Sequence, residues 1–197
     1  VTYTWDDNGN LLSDGVNTYT YDSANRLTSV NDTTTYQYNG LGDRISQMVN
    51  NVTTNYTLDL NTGLTQVLSD GTTDYLYGNG RIAQVNTSAE YFLGDALGSV
   101  HQMTDASGEI TFARGYDPYG VVTYTTGTSQ TEFGFTGEQY DTYIKLIYLR
   151  SRLYSPDTGR FTSRDTWSGD VNRPLSLNRW MYVEGNPLIV QEDGRYI

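Results

Sequence analysis

Residues 19–30 read YTYDSANRLTSV, and this stretch decides the fold. Strand side chains alternate between faces, so Tyr19 and Tyr21 place two rings on one face of a strand. Asp22, Ser23, Ala24 and Asn25 follow. Asp and Asn tolerate a positive φ and bond their own backbone, which closes a tight turn. Arg26-Leu27-Thr28-Ser29-Val30 then alternates again as a second strand. Strand, turn and strand make a β-hairpin.

Working outward, the same grammar recurs. YTWDDNGNLLSDG begins at Tyr3, YQYNGLGDRISQM at Tyr36, YTLDLNTGLTQVL at Tyr56, YLYGNGRIAQV at Tyr75 and YFLGDALGSVHQM at Tyr91. With the copy at Tyr19 these are six drifting repeats, and a fixed short period is the mark of a repeat architecture. Thr, Tyr and Val favour strands. No segment of helical length carries a helical period with caps. The four prolines fall in turn or loop contexts, and residues 170–177 read as an irregular connector. The pattern predicts an all-β protein of consecutive antiparallel hairpins. Tyr19, Tyr21, Tyr36, Tyr38, Tyr75 and Tyr77 are expected to form ladders between neighbouring strands.

Composition narrows the function. The 18 Tyr and 3 Trp supply large amphipathic packing groups to a chain of 197 residues, enough for a sizeable core. A net charge of −11 argues against a nucleic-acid binder, which needs a basic face. Without cysteine there is no disulfide frame and no thiolate metal site. No apolar run reaches the roughly 18 residues of a membrane helix. The chain opens inside a repeat and reads as a piece of something longer.

Several motifs carry a resemblance to a known family. Tyr21-Asp22 is the Tyr-Asp pair that names YD repeats, with Trp5-Asp6 a close variant and Tyr38-Asn39 and Tyr77-Gly78 degenerate. Asp95-Ala96-Leu97-Gly98-Ser99 and the YDPYG of residues 116–120 resemble the start of an Rhs-associated core. FTGEQYDTYIKLIYLRSRLY, residues 135–154, matches that core's pattern, with Ser151 where the family often has Ala. Arg152-Leu153-Tyr154, the DTGRF of residues 157–161, Ser163-Arg164-Asp165, the NRWMY of residues 178–182 and Asn186-Pro187 resemble its C-terminal signature. The chain is thus similar to the Rhs/YD-repeat family, with repeats over 1–90 and core over 91–197, continuous as one structural unit. The resemblance implies a sheet spiralling into a hollow shell, with the core plugging its end.

The same resemblance implies one chemistry, aspartyl autoproteolysis by two D-P-x-G elements. Such chemistry needs two carboxyls sharing a proton, one to activate water and one to act as acid. By position the first element falls on Asp165, followed by Thr166 rather than proline. The second falls on Glu192, with Asp193 and Gly194 after it and again no proline. These departures favour turn-forming acids over an active protease. His101 is the single histidine, with Ser99 two residues before it, but a hydrolase also needs a third group and an oxyanion site. The Asp/Asn/Gly clusters match no calcium-loop spacing, so turns explain them and no metal or cofactor is expected.

Three functional readings follow. The first is a structural shell or plug segment of an Rhs-type secreted toxin or cell-surface protein, with the toxin region absent. The second is a self-assembling extracellular filament or adhesion protein built by edge pairing of repeats. The third is the autoprotease. The expected partners are other YD-repeat segments of the same protein, further copies of itself, or an encapsulated toxin, with no nucleic acid and no membrane span. The expected location is secreted or cell surface.

Overall fold

The structure, a computed structural model, describes residues 2–187. Among these residues there is no α-helix, and the regular elements are strands and three short 3-10 turns. The expected all-β class of antiparallel hairpins is what the chain adopts.

In chain order, β1 (Thr4–Trp5), β2 (Leu11–Ser13), β3 (Tyr19–Tyr21), β4 (Leu27–Val30), β5 (Thr34–Tyr38), β6 (Arg44–Val49) and β7 (Val52–Asn55) come first. Then follow β8 (Thr57–Asp59), β9 (Gln66–Ser69), β10 (Asp74–Tyr77), β11 (Arg81–Val85), β12 (Ala89–Gly94), β13 (Val100–Thr104), β14 (Ile110–Tyr116) and β15 (Val122–Gly127). β16 (Gln139–Asp141), β17 (Leu146–Leu149), β18 (Arg152–Ser155) and β19 (Arg160–Phe161) complete the set. Packing divides the chain into two compact units, one of Val1–Thr53 with Thr142–Ile197 and one of Thr54–Asp141. In the second unit β8 to β15 form one eight-stranded sheet in strict chain order. In the first, β3 to β6 pair in chain order, as do β17 to β19. Every neighbour in these sheets is joined by a short connection, which is why each pair is antiparallel.

One five-residue turn recurs. After Tyr21, the Asp22 carboxylate Oδ1 accepts the N–H groups of Ala24 and Arg26, and the Asp22 carbonyl accepts that of Asn25. Asn39, Asp95, Asp105 and Asp117 do the same for the N–H groups two and four residues on, all within 2.8–3.0 Å. The fourth residue of each turn has a positive φ and is Asn25, Gly42, Gly98, Gly108 or Gly120. This is a three-residue hairpin loop ending in a left-handed residue, and it shifts the strand register by one at Tyr21, Tyr38 and Tyr116. The Asp of the repeat is therefore the acceptor that satisfies the turn's own amides. Where Gly78 replaces it, the turn shortens and the Gly78 N–H bonds the Gly80 carbonyl. The links between β4 and β5 and between β6 and β7 use two residues at positive φ, Asn31-Asp32 and Asn50-Asn51, the other common hairpin loop.

In the repeats at Tyr19, Tyr36 and Tyr75 the two aromatics share the inner face, whereas Tyr3, Trp5 and Tyr91 are exposed. Tyr19, Tyr36 and Tyr75 are 4%, 4% and 5% exposed, while Thr20, Gln37 and Leu76 between the rings face solvent. At Tyr38 and Tyr77 the second ring keeps its hydroxyl on a neighbouring strand, while that of Tyr21 reaches the Thr162 carbonyl. Tyr38 donates to the Leu27 carbonyl at 2.8 Å and Tyr77 to that of Val67 at 2.9 Å. The expected tyrosine-on-tyrosine ladders do not form. Tyr19 lies opposite Val30, Tyr36 opposite Gln47 and Tyr75 opposite Gln84. In a hairpin the aromatic strand always pairs with the apolar one, so rings of successive repeats are separated by an aliphatic strand. The repeat's arginine fills the space between. Arg26 stacks over Tyr38, Arg44 over Tyr36 and Tyr148, and Arg81 over Phe133 and Tyr77.

Candidate functional site

Asp165 is the one sequence-assigned carboxylate among the described residues; Glu192 and Asp193 lie outside them. Its surroundings are built from the end of the chain. β18 places Arg152 inward, where its guanidinium lies 3.6 Å from the Phe161 ring centre. From there Arg152 Nη2 reaches Asp165 Oδ2 at 2.8 Å. The other carboxylate oxygen accepts the Trp167 N–H at 2.8 Å. The backbone is tied as well. The Asp165 N–H donates to the Arg179 carbonyl at 2.9 Å, Arg152 Nη1 donates to that carbonyl at 3.3 Å, and the Arg179 side chain bonds the Asp165 carbonyl. Both carboxylate oxygens thus have partners, and Asp165 joins the β18 arginine to the turn at Arg179. Around this brace Tyr154, Phe161 and Tyr182 pack as an aromatic triplet with centroids 4.2–5.9 Å apart.

Among the described residues, those from 162 to 187 have almost no regular pairing of their own. They are stitched to the first repeat. Leu11 N–H donates to the Thr162 carbonyl, Arg164 N–H to that of Gly9, and Trp180 Nε1 to that of Gly9. Trp180 also meets Trp5 edge to face. Gly9 has no room for a side chain here, because a Cβ would come within 2.9 Å of both Arg164 and Trp180 and its φ is +82. The expected irregular connector at 170–177 is a series of turns ending in the 3-10 turn Pro174–Leu177. Beside this region lies an open cleft of about 750 Å³, lined among others by Tyr3, Trp5, Leu11, Tyr19, Ile144 and Phe161. Its wall is mainly apolar, and it contains neither Asp165 nor any histidine.

A second device joins repeats and was missed in the sequence. Ser13-Asp14-Gly15 and Ser69-Asp70-Gly71 form the same turn, in which the Asp Oδ1 accepts two amides and Oδ2 accepts the hydroxyl of the next repeat's first tyrosine. The Tyr19 hydroxyl reaches Asp14 at 2.7 Å and that of Tyr75 reaches Asp70 at 2.8 Å. The identical spacing SDGxxxY, at 13–19 and 69–75, was the available signal. Burial pushes both carboxyls up, but the amide and tyrosine bonds, joined at Asp70 by the Thr72 hydroxyl, outweigh it and hold Asp14 and Asp70 below the ordinary carboxylate range. Burial first, then the facing carboxylate, drive Tyr19 and Tyr75 well above the ordinary phenol value.

His101 and Ser99 do not form a catalytic pair. Ser99 is buried, and its Oγ accepts the Thr136 N–H at 3.0 Å. His101 instead sits with Nε2 3.2 Å from Asp95 Oδ2 and Nδ1 3.1 Å from the Arg114 carbonyl. Among the described residues no group of three His, Cys, Asp or Glu side chains could hold a metal ion. No helix there is long and apolar enough to cross a membrane.

Known proteins bear on this geometry. The family model described as "Teneurin YD-shell" matches residues 1–187. The chain is 33% identical to a tRNA3(Ser)-specific nuclease WapA of Bacillus spizizenii over 98% of its own length, which is 9% of that protein. It is 26% identical to Teneurin-3 of Danio rerio, covering 95% of this chain and 8% of the relative. The crystal structure of TcdB2-TccC3 superposes with a TM-score of 0.74 at 21% identity, over 96% of this chain and 11% of that one. The chain therefore spans about a tenth of the length of the proteins it matches. With every described residue inside the family match, and with hairpins that keep the Tyr-Asp turn and its buried rings, the chain belongs to the teneurin YD-shell family.

Proposed function

We propose that the chain is a wall and plug segment of a YD shell in a secreted toxin or cell-surface protein. In this reading residues 1–90 act as shell repeats and residues 91–197 as the core that closes the shell end. The observation that carries it is the sheet order. β8 to β15 run in strict sequence, and the repeats at Tyr19, Tyr36, Tyr56 and Tyr75 each bury their first tyrosine, so the array extends sideways as a continuous surface. The names of its relatives, which include nucleases, a "Toxin subunit YenC1" and a "Double-stranded DNA deaminase toxin A", support a toxin-carrying shell as the whole protein. The segment itself carries a net charge of −11, which suits a wall better than a nucleic-acid active site. Its partners are then other YD segments of the same protein and an enclosed toxin.

Asp165 fits this reading as a brace. Its carboxylate oxygens are occupied by Arg152 and the Trp167 N–H while its backbone holds Arg179, and neither candidate element at Asp165 or Glu192/Asp193 carries the proline of the self-cleaving pattern. The test is a reporter fused after Ile197, expressed beside the same fusion with Asp165→Asn. The expected result is an intact fusion in both. Release from the parent that the Asn variant abolishes would establish an autoprotease and overturn the wall-only reading.

A second reading, assembly by edge pairing between copies, is favoured by one observation. The eight-stranded sheet ends in an open strand, β15.

A further inference from the structure

We propose that Asn79, in the loop joining β10 to β11, is a site of spontaneous covalent modification, where the fold lets the carboxamide react with the next main-chain nitrogen and end as an acid. The reaction needs only water, and the proposal stands apart from the wall and assembly readings.

The sequence alone offers three equal candidates. Asn8-Gly9, Asn39-Gly40 and Asn79-Gly80 are the Asn-Gly pairs of the chain. Glycine has no Cβ to keep its nitrogen from the preceding side chain, so each pair is intrinsically prone to ring closure. The fold treats the three differently. At Asn39 the carboxamide is itself the turn acceptor. Its Oδ1 takes the N–H groups of Leu41 and Asp43, both at 2.9 Å, and its Nδ2 donates to Asp43 Oδ2 at 2.9 Å. Reaction there would break all three bonds. At Asn8 the nitrogen is held instead. The Gly9 N–H donates to the Asp6 carbonyl at 3.0 Å, and Gly9 is buried against Arg164 and Trp180. Its backbone has no space in which to turn.

Asn79 has neither restraint. Gly78 stands where Asp22, Asn39, Asp95, Asp105 and Asp117 stand in the other loops, so no side chain gathers the amides here. The loop is closed by the Gly78 N–H on the Gly80 carbonyl at 2.8 Å, a bond that leaves the Gly80 nitrogen unused. Among the described residues the Asn79 side chain makes no hydrogen bond and the Gly80 N–H has no acceptor. Gly78, Asn79 and Gly80 are all exposed, and a Cβ built at Gly80 would meet nothing within 4 Å. The nitrogen can therefore swing toward the Asn79 Cγ without displacing a neighbour.

The steps balance without any further reactant. The Gly80 nitrogen gives its proton to solvent and bonds the Asn79 Cγ. The Cγ–Nδ2 bond breaks, ammonia leaves and a succinimide ring closes. Water then adds to either ring carbonyl and opens the ring. The product is an aspartate, or an isoaspartate whose main chain is one carbon longer. Each event takes the net charge one unit below −11. Neither product regains the amide, so the modified fraction records the age of the molecule.

Peptide mapping by mass spectrometry tests this on the chain held at neutral pH and physiological temperature, native in one arm and unfolded in urea in the other. The expected native result is conversion at Asn79 at least fivefold faster than at Asn8 or Asn39, with isoaspartate among the products. In urea the three rates should converge. Gly80→Ala, whose side chain enters open space, should slow the reaction at position 79 and keep the wild-type melting temperature. Asp43→Ala, which removes the carboxylate holding Asn39 Nδ2, should speed conversion at Asn39. Absence of conversion at Asn79, equal native rates, or a native rate fastest at Asn8 or Asn39 overturns the proposal. So does a native ranking that persists unchanged in urea, which would place the control in the flanking sequence rather than in the fold.

Discussion

The hairpin repeats and the segment from 160 to 187 are held by opposite means. In the repeats the bonds are short-range. Asp22 satisfies amides two and four residues on, and Asp14 clasps Tyr19 five residues on. In the later segment the bonds reach across the sequence. Arg164 and Trp180 both end on the Gly9 carbonyl, and Arg152 holds Asp165 and the Arg179 carbonyl together. The difference teaches where each region is vulnerable. A repeat array shares its stability among many local devices, whereas the later segment concentrates it on a few residues.

The comparison can be broken first at a buried ring. Tyr19→Ala empties a core position and leaves Asp14 Oδ2 without its hydroxyl donor. By analogy with other buried aromatics the cost is about 3–5 kcal/mol. Urea denaturation should show it, and a loss below about 1 kcal/mol would contradict the packing described. Next comes the brace. Arg152→Ala strips Asp165 of its guanidinium and Phe161 of its stacked cation. The expected cost is about 2–3 kcal/mol, somewhat below that of fully buried pairs because Asp165 is partly exposed. Proteolysis should then begin between 160 and 187 while the hairpins stay resistant; cleavage starting in the hairpins would sink the contrast. Smaller is the turn. Asp22→Ala removes the acceptor of two amides and should cost about 1–2 kcal/mol, against less than about 0.5 kcal/mol for the outward Thr20→Ala.

How much of this was legible follows from the same contrast. The hairpins, their facing and the all-β class could be read because every determinant lies within a dozen residues. YTYDSANRLTSV contains its own strands, turn acceptor and left-handed Asn25. The ladders were misread because ring-to-ring distance depends on which strand intervenes, and β4 intervenes between Tyr19 and Tyr36. The pairing of Asp14 with Tyr19 is legible in its repeated SDGxxxY spacing. The Arg152–Asp165 brace was not legible as a pair. Nothing local in RLY or SRD says that the two side chains will meet, and only the family resemblance drew attention to Asp165, for a different chemistry.

Acidity and alkalinity probe the two halves of the repeat device. Burial raises the Asp22 carboxyl, but the Arg26 side chain and the turn amides outweigh it, and Asp22, like Asp14 and Asp70, lies below the ordinary carboxylate range. A depressed carboxyl stabilises the fold fully above the unfolded value near ~4, and that contribution is lost as pH falls through the lower folded values. Tyr19, Tyr38 and Tyr75 are raised, chiefly by burial. Their contribution is complete below the unfolded phenol value near ~10 and is lost as pH climbs beyond it. Stability should therefore be flat between about pH 5 and 9 from these groups and fall at both ends. In Asp14→Asn and Asp70→Asn variants the acid limb should soften; an unchanged acid limb would show that these carboxyls are not the titrating groups.

The central claim is that each turn carboxylate holds its own hairpin. Residue-resolved hydrogen exchange tests it most directly, on the amides of Arg26, Asp43, Ser99 and Val121, each bonded to a turn carboxylate or amide oxygen. All four should be protected in the parent. In Asp22→Ala, exchange should accelerate at Arg26 and its hairpin while Ser99 and Val121 keep their protection. Loss of protection at all four from that single change, or no loss at Arg26, would contradict the account.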